Sequence, residues 1–183
     1  MSESVGTLMQ RAQEARRERR GEDARRDLIA AVEMARRAED RGDLAQALTG
    51  LGQIERDAGN YDAARAHYEE AAAIYRMQGE PQRLAHALRH IGDILQDQGR
   101  GRLGEAYVRE AMEIYRADTR TSPLDLANAI RGLAVIKQGL GASGQARALW
   151  VEAMDLYASV GVDAGVRESE KRIAELGPHP AAS

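Results

Sequence analysis

Residues 44–52 read Leu-Ala-Gln-Ala-Leu-Thr-Gly-Leu-Gly, and two later stretches of the chain repeat this pattern. Residues 84–92 read Leu-Ala-His-Ala-Leu-Arg-His-Ile-Gly, and residues 126–134 read Leu-Ala-Asn-Ala-Ile-Arg-Gly-Leu-Ala. The stretches begin 40 and then 42 residues apart, and each is followed by a glycine-bearing turn and a second alanine-rich segment. Self-similarity at this spacing predicts a solenoid, in which each helical unit buries its apolar face against its neighbours.

Small and large residues keep fixed places within each repeat. A small residue ends each quoted stretch, where a larger side chain would hold the paired helix away: Gly52, Gly92 and Ala134. A glycine follows seven residues later, where the end of a helix favours the left-handed conformation: Gly59, Gly99 and Gly141. The second helix then alternates large and small residues, as interlocking ridges require.

Composition narrows the classes of function. The 183 residues carry a net charge of -3, which provides no overall attraction to nucleic acid or anionic membranes. Cysteine is absent, which excludes disulfides, thiol nucleophiles and thiolate metal sites. No apolar run approaches the roughly 18 residues that would span a bilayer. The N-terminus shows no secretory signal, so we expect a cytoplasmic protein.

The repeated pattern resembles the tetratricopeptide repeat. The residues at that family's signature spacings are Leu51, Gly52, Gly59, Tyr61, Ala64, Tyr68 and Ala71. The spacing of about 40 residues is similar to the longer-helix variety, as in kinesin light chains and many bacterial regulatory arrays, rather than to the 34-residue form. The resemblance implies an all-α fold, a right-handed α-α superhelix of antiparallel helix pairs.

The register of the repeat divides the chain into six segments. Residues 1–42 form a degenerate N-terminal helical hairpin, with Arg11 at an expected apolar place and Gly21 at an expected aromatic one. Three full repeats follow at 43–80, 81–122 and 123–162, and then a capping helix at 163–176 whose polar outer face includes Glu168. We expect the tail, 177–183, to be disordered.

Two departures from the family pattern concern packing. The turn at 99–104 holds three glycines and has no aromatic at the place of Tyr61, so we expect it to be locally loose. Glu55, Leu95 and Lys137 share a first-helix place that is often aromatic in the family, which should thin the packing there.

The resemblance also indicates a partner-binding surface, because first helices in the family line a concave groove that takes a peptide. Its positions carry mostly groups that hydrogen-bond a peptide backbone or receive acidic side chains, with Arg89 and Arg131 as anion contacts. The alternative is that these side chains merely solvate an exposed helix face. The predicted groove residues are Gln46, Thr49, Gln53, Arg56, His86, Arg89, His90, Asp93, Gln96, Asn128, Arg131, Val135 and Gln138.

Two histidines in this set raise the question of a metal. His86 and His90 are four residues apart, with Asp93 one turn further on, a spacing that can hold zinc. The stretch between them lacks the glutamate of the zinc protease motif, and no fourth ligand is evident. We therefore expect no metal, and instead a pair of exposed groove histidines that could make partner binding sensitive to pH.

The arginine-rich segment 16–20 invites a nucleic-acid interpretation. Acidic residues are interleaved with the arginines and no aromatic residue is available for stacking, which favours a salt-bridged, solvated surface. No phosphate loop, nucleophile elbow or cluster of catalytic carboxylates is present, so we expect neither an enzyme nor a cofactor.

These observations predict a scaffold that binds a protein or peptide, with no nucleic acid and no membrane as partner. Two alternatives stay open. One is a regulatory array that senses a signalling peptide or a small molecule, which the arginine-rich first unit suggests. The other is a self-associating homo-oligomer that uses the weakly capped N-terminal helices. Light scattering at several concentrations separates the second from the others.

Overall fold

A computed structural model describes residues 3–177, and every regular element in that range is an α-helix. This confirms the predicted fold class, an all-α helical repeat solenoid. No helix in the described range is both long and apolar enough to cross a membrane. Most of the predicted tail, residues 178–183, lies outside that range. The helices are α1 (Val5–Arg17), α2 (Gly21–Arg37), α3 (Arg41–Asp57), α4 (Tyr61–Gln78), α5 (Pro81–Asp97), α6 (Gly101–Ala117), α7 (Pro123–Gly139), α8 (Ser143–Ser159) and α9 (Asp163–Glu175).

The contacts divide the chain into two compact units, Met1–His90 and Ile91–Ser183, and α5 contributes residues to both. In the first unit α1 packs on α2 and α3 on α4, with α2 also against α3. In the second unit α6 packs on α7, α7 on α8 and α8 on α9. Connections of only three residues join α1 to α2, α3 to α4 and α7 to α8, which makes each of these pairs antiparallel.

The turns show how the degenerate first hairpin still follows the repeat. Gly59, Gly99 and Gly141 adopt positive φ at the ends of first helices, as expected. Arg19 occupies the same place 40 residues earlier and adopts φ 61°, although it carries a side chain. The turn geometry is therefore kept where the glycine is missing, at the cost of left-handed backbone in a residue that disfavours it.

An ion pair to a buried carboxylate accounts for the unexpected Arg11, whose own side chain is 46% exposed. Its guanidinium Nη2 lies 2.7 Å from Oδ1 of Asp27, a residue only 6% exposed. Arg11 takes the place that Leu51 has in the next repeat, so this hairpin satisfies a buried carboxylate where the others bury apolar side chains.

The place shared by Glu55, Leu95 and Lys137 is filled, which corrects the expectation of thin packing. Glu55 is 2% exposed and accepts hydrogen bonds from Arg25 Nε at 2.6 Å and Asn60 Nδ2 at 2.7 Å. Burial raises the pKa of Glu55, but the hydrogen bonds from Asn60 and Arg25 outweigh burial and leave the pKa lowered. Leu95 is buried, and Lys137 Nζ lies 2.8 Å from Glu105 Oε1.

The glycine-rich turn of the second repeat is packed at two of its glycines. Gly101 and Gly104 are both buried, and α6 begins at Gly101. A Cβ on Gly104 would lie 2.7 Å from the carbonyl oxygen of Gly92, so this pair of glycines lets α6 approach the C-terminal half of α5 closely. The expected looseness of 99–104 is therefore wrong for Gly101 and Gly104.

Candidate functional site

In the first unit, α3 presents a polar stripe opposite its buried side. Gln46 is exposed, and Thr49, Gln53 and Arg56 are half-buried at successive turns of the same face. The other side of α3 is buried because it carries alanine, leucine and isoleucine at helical spacing: Ala45, Leu48, Leu51 and Ile54. The structure therefore brings the four predicted α3 residues together along one helix face.

Two tyrosines from α4 hold this stripe from behind. The Tyr75 and Thr49 hydroxyls are 3.2 Å apart, and the Tyr68 hydroxyl donates to Gln53 Oε1 at 3.4 Å. The Gln53 amide in turn donates to Asp57 Oδ1 at 2.7 Å. Both tyrosines are buried, so their hydroxyls need partners, and residues of the stripe supply them.

His90 is buried, which corrects the expectation of two exposed groove histidines. It is 6% exposed, and its ring stacks on Tyr68 with centroids 4.8 Å apart and planes 14° from parallel. His86 is half-buried and meets the His90 ring edge-on at 4.6 Å. A polar residue in a helix gives no sign in the sequence that an aromatic ring will cover it, so the pattern alone could not distinguish these two histidines.

The surroundings of His90 keep its ring neutral. Burial, followed by the charges of Arg89, His86, Arg56 and Arg16, holds the pKa of His90 well below its usual range. Arg89 Nη2 lies 2.8 Å from Nε2, and Arg56 Nη1 lies 3.2 Å from Nδ1. A guanidinium only donates and a neutral imidazole has one accepting nitrogen, so only one of these two arginines can donate a hydrogen bond to the ring in either tautomer.

The neutral His90 predicts that stability falls in mild acid. Below the ordinary histidine pKa of 6.5 the unfolded chain binds a proton that folded His90 refuses, so stability is full above that pH and is lost as the pH falls. The slope is at most about 1.4 kcal/mol per pH unit for each such group. Burial also lowers the pKa of His67, which adds to the effect with the same sign. Urea unfolding at a series of pH values from about 7.5 to about 5 measures how the free energy of unfolding changes with pH.

The variant His90→Phe provides the control, since it keeps a ring against Tyr68 and cannot titrate. We expect it to flatten the pH dependence partly, and His67→Asn to remove the remainder. The Glu55 contribution is separate, because a lowered carboxylate pKa costs stability only as the pH falls below 4.5. An unchanged slope in His90→Phe would contradict the assignment.

In the second unit, α7 presents an equivalent stripe that is also tied to aromatic side chains. The Tyr157 hydroxyl donates to Asn128 Oδ1 at 2.8 Å, and the Trp150 indole donates to Gln138 Oε1 at 3.3 Å. Val135 is partly buried against the cluster that contains Trp150. The four predicted α7 residues, which include Arg131, thus lie on one face, with three of them in contact with the core of this unit.

Arg131 is engaged within the fold. Its guanidinium makes a two-pronged contact with Glu168 of α9, with Nε–Oε2 at 2.7 Å and Nη2–Oε1 at 2.9 Å. The hydrogen bond that Arg131 donates to Glu168 raises the pKa of Arg131. Glu168, which the sequence places on the polar outer face of the capping helix, instead ties that helix to α7. Gly165 and Ser169 are buried on α9, and these two small residues are the signal in the sequence for the packed face of that helix.

Asp93 and Gln96, the two predicted groove residues in the C-terminal half of α5, are half-buried beside glycines. A Cβ on Gly132 would lie 3.0 Å from Asp93 Oδ1, and a Cβ on Gly139 would lie 3.5 Å from Gln96 Nε2. Among residues 3–177, no group of three or more histidine, cysteine, aspartate or glutamate side chains is arranged to hold a metal ion.

Comparisons with known proteins agree with this architecture. Residues 4–77 match the tetratricopeptide repeat family. The fold is similar to BtubC (BKLC) from P. vanneervenii, with a TM-score of 0.72 and 18% identity over 98% of this chain and 84% of that one. It is also similar to a Rap protein complexed with Competence and Sporulation Factor, with a TM-score of 0.78 and 15% identity over 94% of this chain. The apo form of RapI has a TM-score of 0.79 and 10% identity, also over 94% of this chain.

The chain spans about half of the two Rap chains, 48% and 47% of their lengths. Among curated protein sequences, none matches it.

Proposed function

We propose that this chain, whose residues 4–77 match the tetratricopeptide repeat family, is a scaffold that binds a protein or peptide segment along the polar faces of its first helices. The family match and the Rap-like folds support an interaction role. The proposed surface is the predicted concave groove, to which α3 contributes the stripe of Gln46, Thr49, Gln53 and Arg56.

One observation carries this proposal: the stripe residues are held in place before any partner arrives. Thr49 and Gln53 are fixed by the tyrosines of α4, and Asn128 and Gln138 by Tyr157 and Trp150. Ordering a mobile polar side chain costs about 0.5–1.5 kcal/mol on binding, and a side chain that is already ordered avoids most of this cost. Such a surface suits a partner whose backbone amides and carbonyls meet fixed donors and acceptors.

Arg131 is a poor position for testing the groove, because its side chain also holds two helices together. Replacing Arg131 with alanine removes the tie to Glu168 on α9, so it would alter stability as well as any partner contact. Arg89 has the same difficulty, because its guanidinium contacts the buried His90. Gln46 is the better probe, since it is exposed and carries a neutral side chain.

We expect Gln46→Trp to block partner binding without unfolding the protein. An indole on an exposed site of the stripe would cover the surface that the partner must approach, and a loss of at least about tenfold in affinity corresponds to 1.4 kcal/mol. The matched control is Ala73→Trp, which places the same side chain on an exposed site of α4. Affinity is measured by isothermal titration with a partner captured from the native cell extract.

A small aliphatic diazirine amino acid at position 46 or 73 tests the same surface without the bulky ring that is expected to block the partner. The proposal expects a crosslink to the partner from position 46 and none from position 73. If Gln46→Trp binds as tightly as Ala73→Trp, or if position 73 crosslinks equally well, the partner binds elsewhere and the groove proposal is wrong.

A second candidate function is a sensor of a signalling peptide, and the fold shared with the Rap protein complexed with Competence and Sporulation Factor favours it. Native mass spectrometry separates the two functions, because it weighs the occupant directly. The chain is incubated with the peptide fraction and then with the protein fraction of a cell extract. A peptide-sized occupant that Gln46→Trp excludes supports the sensor, and an occupant found only in the protein fraction supports the scaffold.

A further inference from the structure

The His90 ring is enclosed on one face and at both nitrogens by side chains from three helices. Tyr68 of α4 stacks on its face at 4.8 Å, Arg89 of α5 reaches Nε2 at 2.8 Å, and Arg56 of α3 reaches Nδ1 at 3.2 Å. We call these four residues the His90 cluster. Because the ring is only 6% exposed, water has little access to either nitrogen, and each nitrogen faces a guanidinium instead.

Protonation would turn this enclosure from attractive to repulsive. The neutral ring accepts a hydrogen bond from one arginine, because one of its nitrogens has no hydrogen. The imidazolium has a hydrogen on both nitrogens, so each N–H would meet a guanidinium that also only donates. It would also place a third positive charge between two others where water screens them least. A proton can therefore bind the ring only if Arg56 and Arg89 move away or the ring leaves Tyr68.

Other titratable groups also face the ring. His86 of α5 meets it edge-on at 4.6 Å, and Arg16 of α1 is among the charges that lower the pKa of His90. Asp57 of α3 pairs with Arg16 at 2.8 Å, and Asp93 is a further carboxylate one turn along α5. The net effect of burial and of these charges is a pKa of His90 well below its usual range.

The histidines of the described range are confined to the first unit. His67, His86 and His90 lie there, and residues 91–177 contain none. Histidine is the side chain whose ordinary pKa lies closest to neutral pH. In a solenoid each repeat contacts only its neighbours, so one part can open while another stays folded. Mild acid should therefore act on the first unit and spare the second.

We propose that the His90 cluster is an acid-operated release: when a proton binds His90, the ring leaves Tyr68 and the first unit opens around α3 and α4, while the second unit stays folded. The stripe residues Gln53 and Arg56 then lose their contacts with Tyr68 and His90. A partner bound on the stripe would be released as the pH falls. That last step rests on the proposed function, whereas the opening itself does not.

Native-state hydrogen exchange of the full chain, followed by nuclear magnetic resonance, tests the opening without any partner. Protection factors, corrected for the intrinsic exchange rate, are measured at a series of pH values from about 7.5 to about 5. We expect protection of the buried amides of α3 and α4 to fall below pH 6.5 by up to about tenfold per pH unit for each histidine that stays neutral in the fold. Protection in α7 and α8 should change less than about twofold.

Variants assign the opening to His90. His90→Phe keeps a ring against Tyr68 and cannot take a proton, so it should reduce the pH dependence of the first unit to the part that His67 contributes. The matched control is Gln46→Phe, which places the same side chain on an exposed site of α3 and should open like the unmodified chain.

Arg89→Met is a second variant that leaves the histidine in place. It removes the donor at Nε2 and a positive charge, so the folded protein should tolerate the imidazolium better. The total loss of protection in α3 and α4 between pH of about 7.5 and 5 should therefore be smaller than in the unmodified chain. Because the result is a ratio between two pH values, a variant that is merely less stable still reports it.

Four results would overturn the proposal. They are unchanged protection in α3 and α4 below pH 6.5, an equal loss in α7 and α8, the same pH dependence in His90→Phe as in Gln46→Phe, or a His90 ring that nitrogen-15 shifts show to be protonated in the folded protein at pH of about 6. All four concern the free protein, so they are distinguishable from a failure of the groove proposal, which Gln46→Trp tests with a partner present.

Discussion

Trp150→Ala should lower the free energy of unfolding by about 3–5 kcal/mol, the usual cost of deleting a buried aromatic side chain. Trp150 is fully buried on α8, packed with Ala134 of α7 and Ala146. Ile173 and Leu176 at the C-terminal end pack against the same cluster. The indole also donates its hydrogen bond to Gln138, so the substitution leaves that amide without its partner as well as opening a cavity.

Urea unfolding followed by far-ultraviolet circular dichroism measures this effect, since the variant has no tryptophan to report by fluorescence. The matched control is Val151→Ala, the next residue along α8, which is 38% exposed and should change stability by no more than about 0.5 kcal/mol. A Trp150→Ala variant no less stable than Val151→Ala would mean that the cluster around Trp150 does not hold α7 and α8 together.

Gly104→Ala should destabilise the protein by about 1–3 kcal/mol through overpacking. The added methyl group would lie 2.7 Å from the carbonyl oxygen of Gly92 and 3.3 Å from Cβ of Leu95. Because these are backbone and Cβ atoms, they cannot rotate away, and the C-terminal half of α5 must shift relative to α6. The loss should exceed the gain of about 1 kcal/mol that alanine has over glycine inside a helix.

Gly21→Ala is the control with the opposite expected sign. No atom lies within 4 Å of a Cβ built on Gly21, so the substitution adds helix propensity without a clash and should be neutral or slightly stabilising. Urea midpoints of the two variants give the comparison. If Gly104→Ala were as stable as Gly21→Ala, the close approach at Gly92 and Gly104 would not be a packing requirement.

The sequence predicted which face of each helix carries the candidate residues, but not which other side chains those residues contact. Gln46, Thr49, Gln53 and Arg56 lie on one face of α3, as their helical spacing predicts. The spacing could not show that His90 lies under the Tyr68 ring, or that Arg131 reaches Glu168, 37 residues away. Both contacts depend on where a second helix comes to rest, and helical periodicity contains no information about that.

The sequence by itself determined the type of fold and the places where helices start, turn and pack. Those features depend on local chemistry: apolar residues at helical spacing, small residues where helices meet, and glycine where the backbone turns left-handed. Only the tertiary structure decided which polar residues serve the fold. It joined Arg11 to Asp27, Glu55 to Arg25 and Arg131 to Glu168. The physical reason is that ion pairing and burial depend on the distances between helices, and a pattern of repeated residues does not specify those distances.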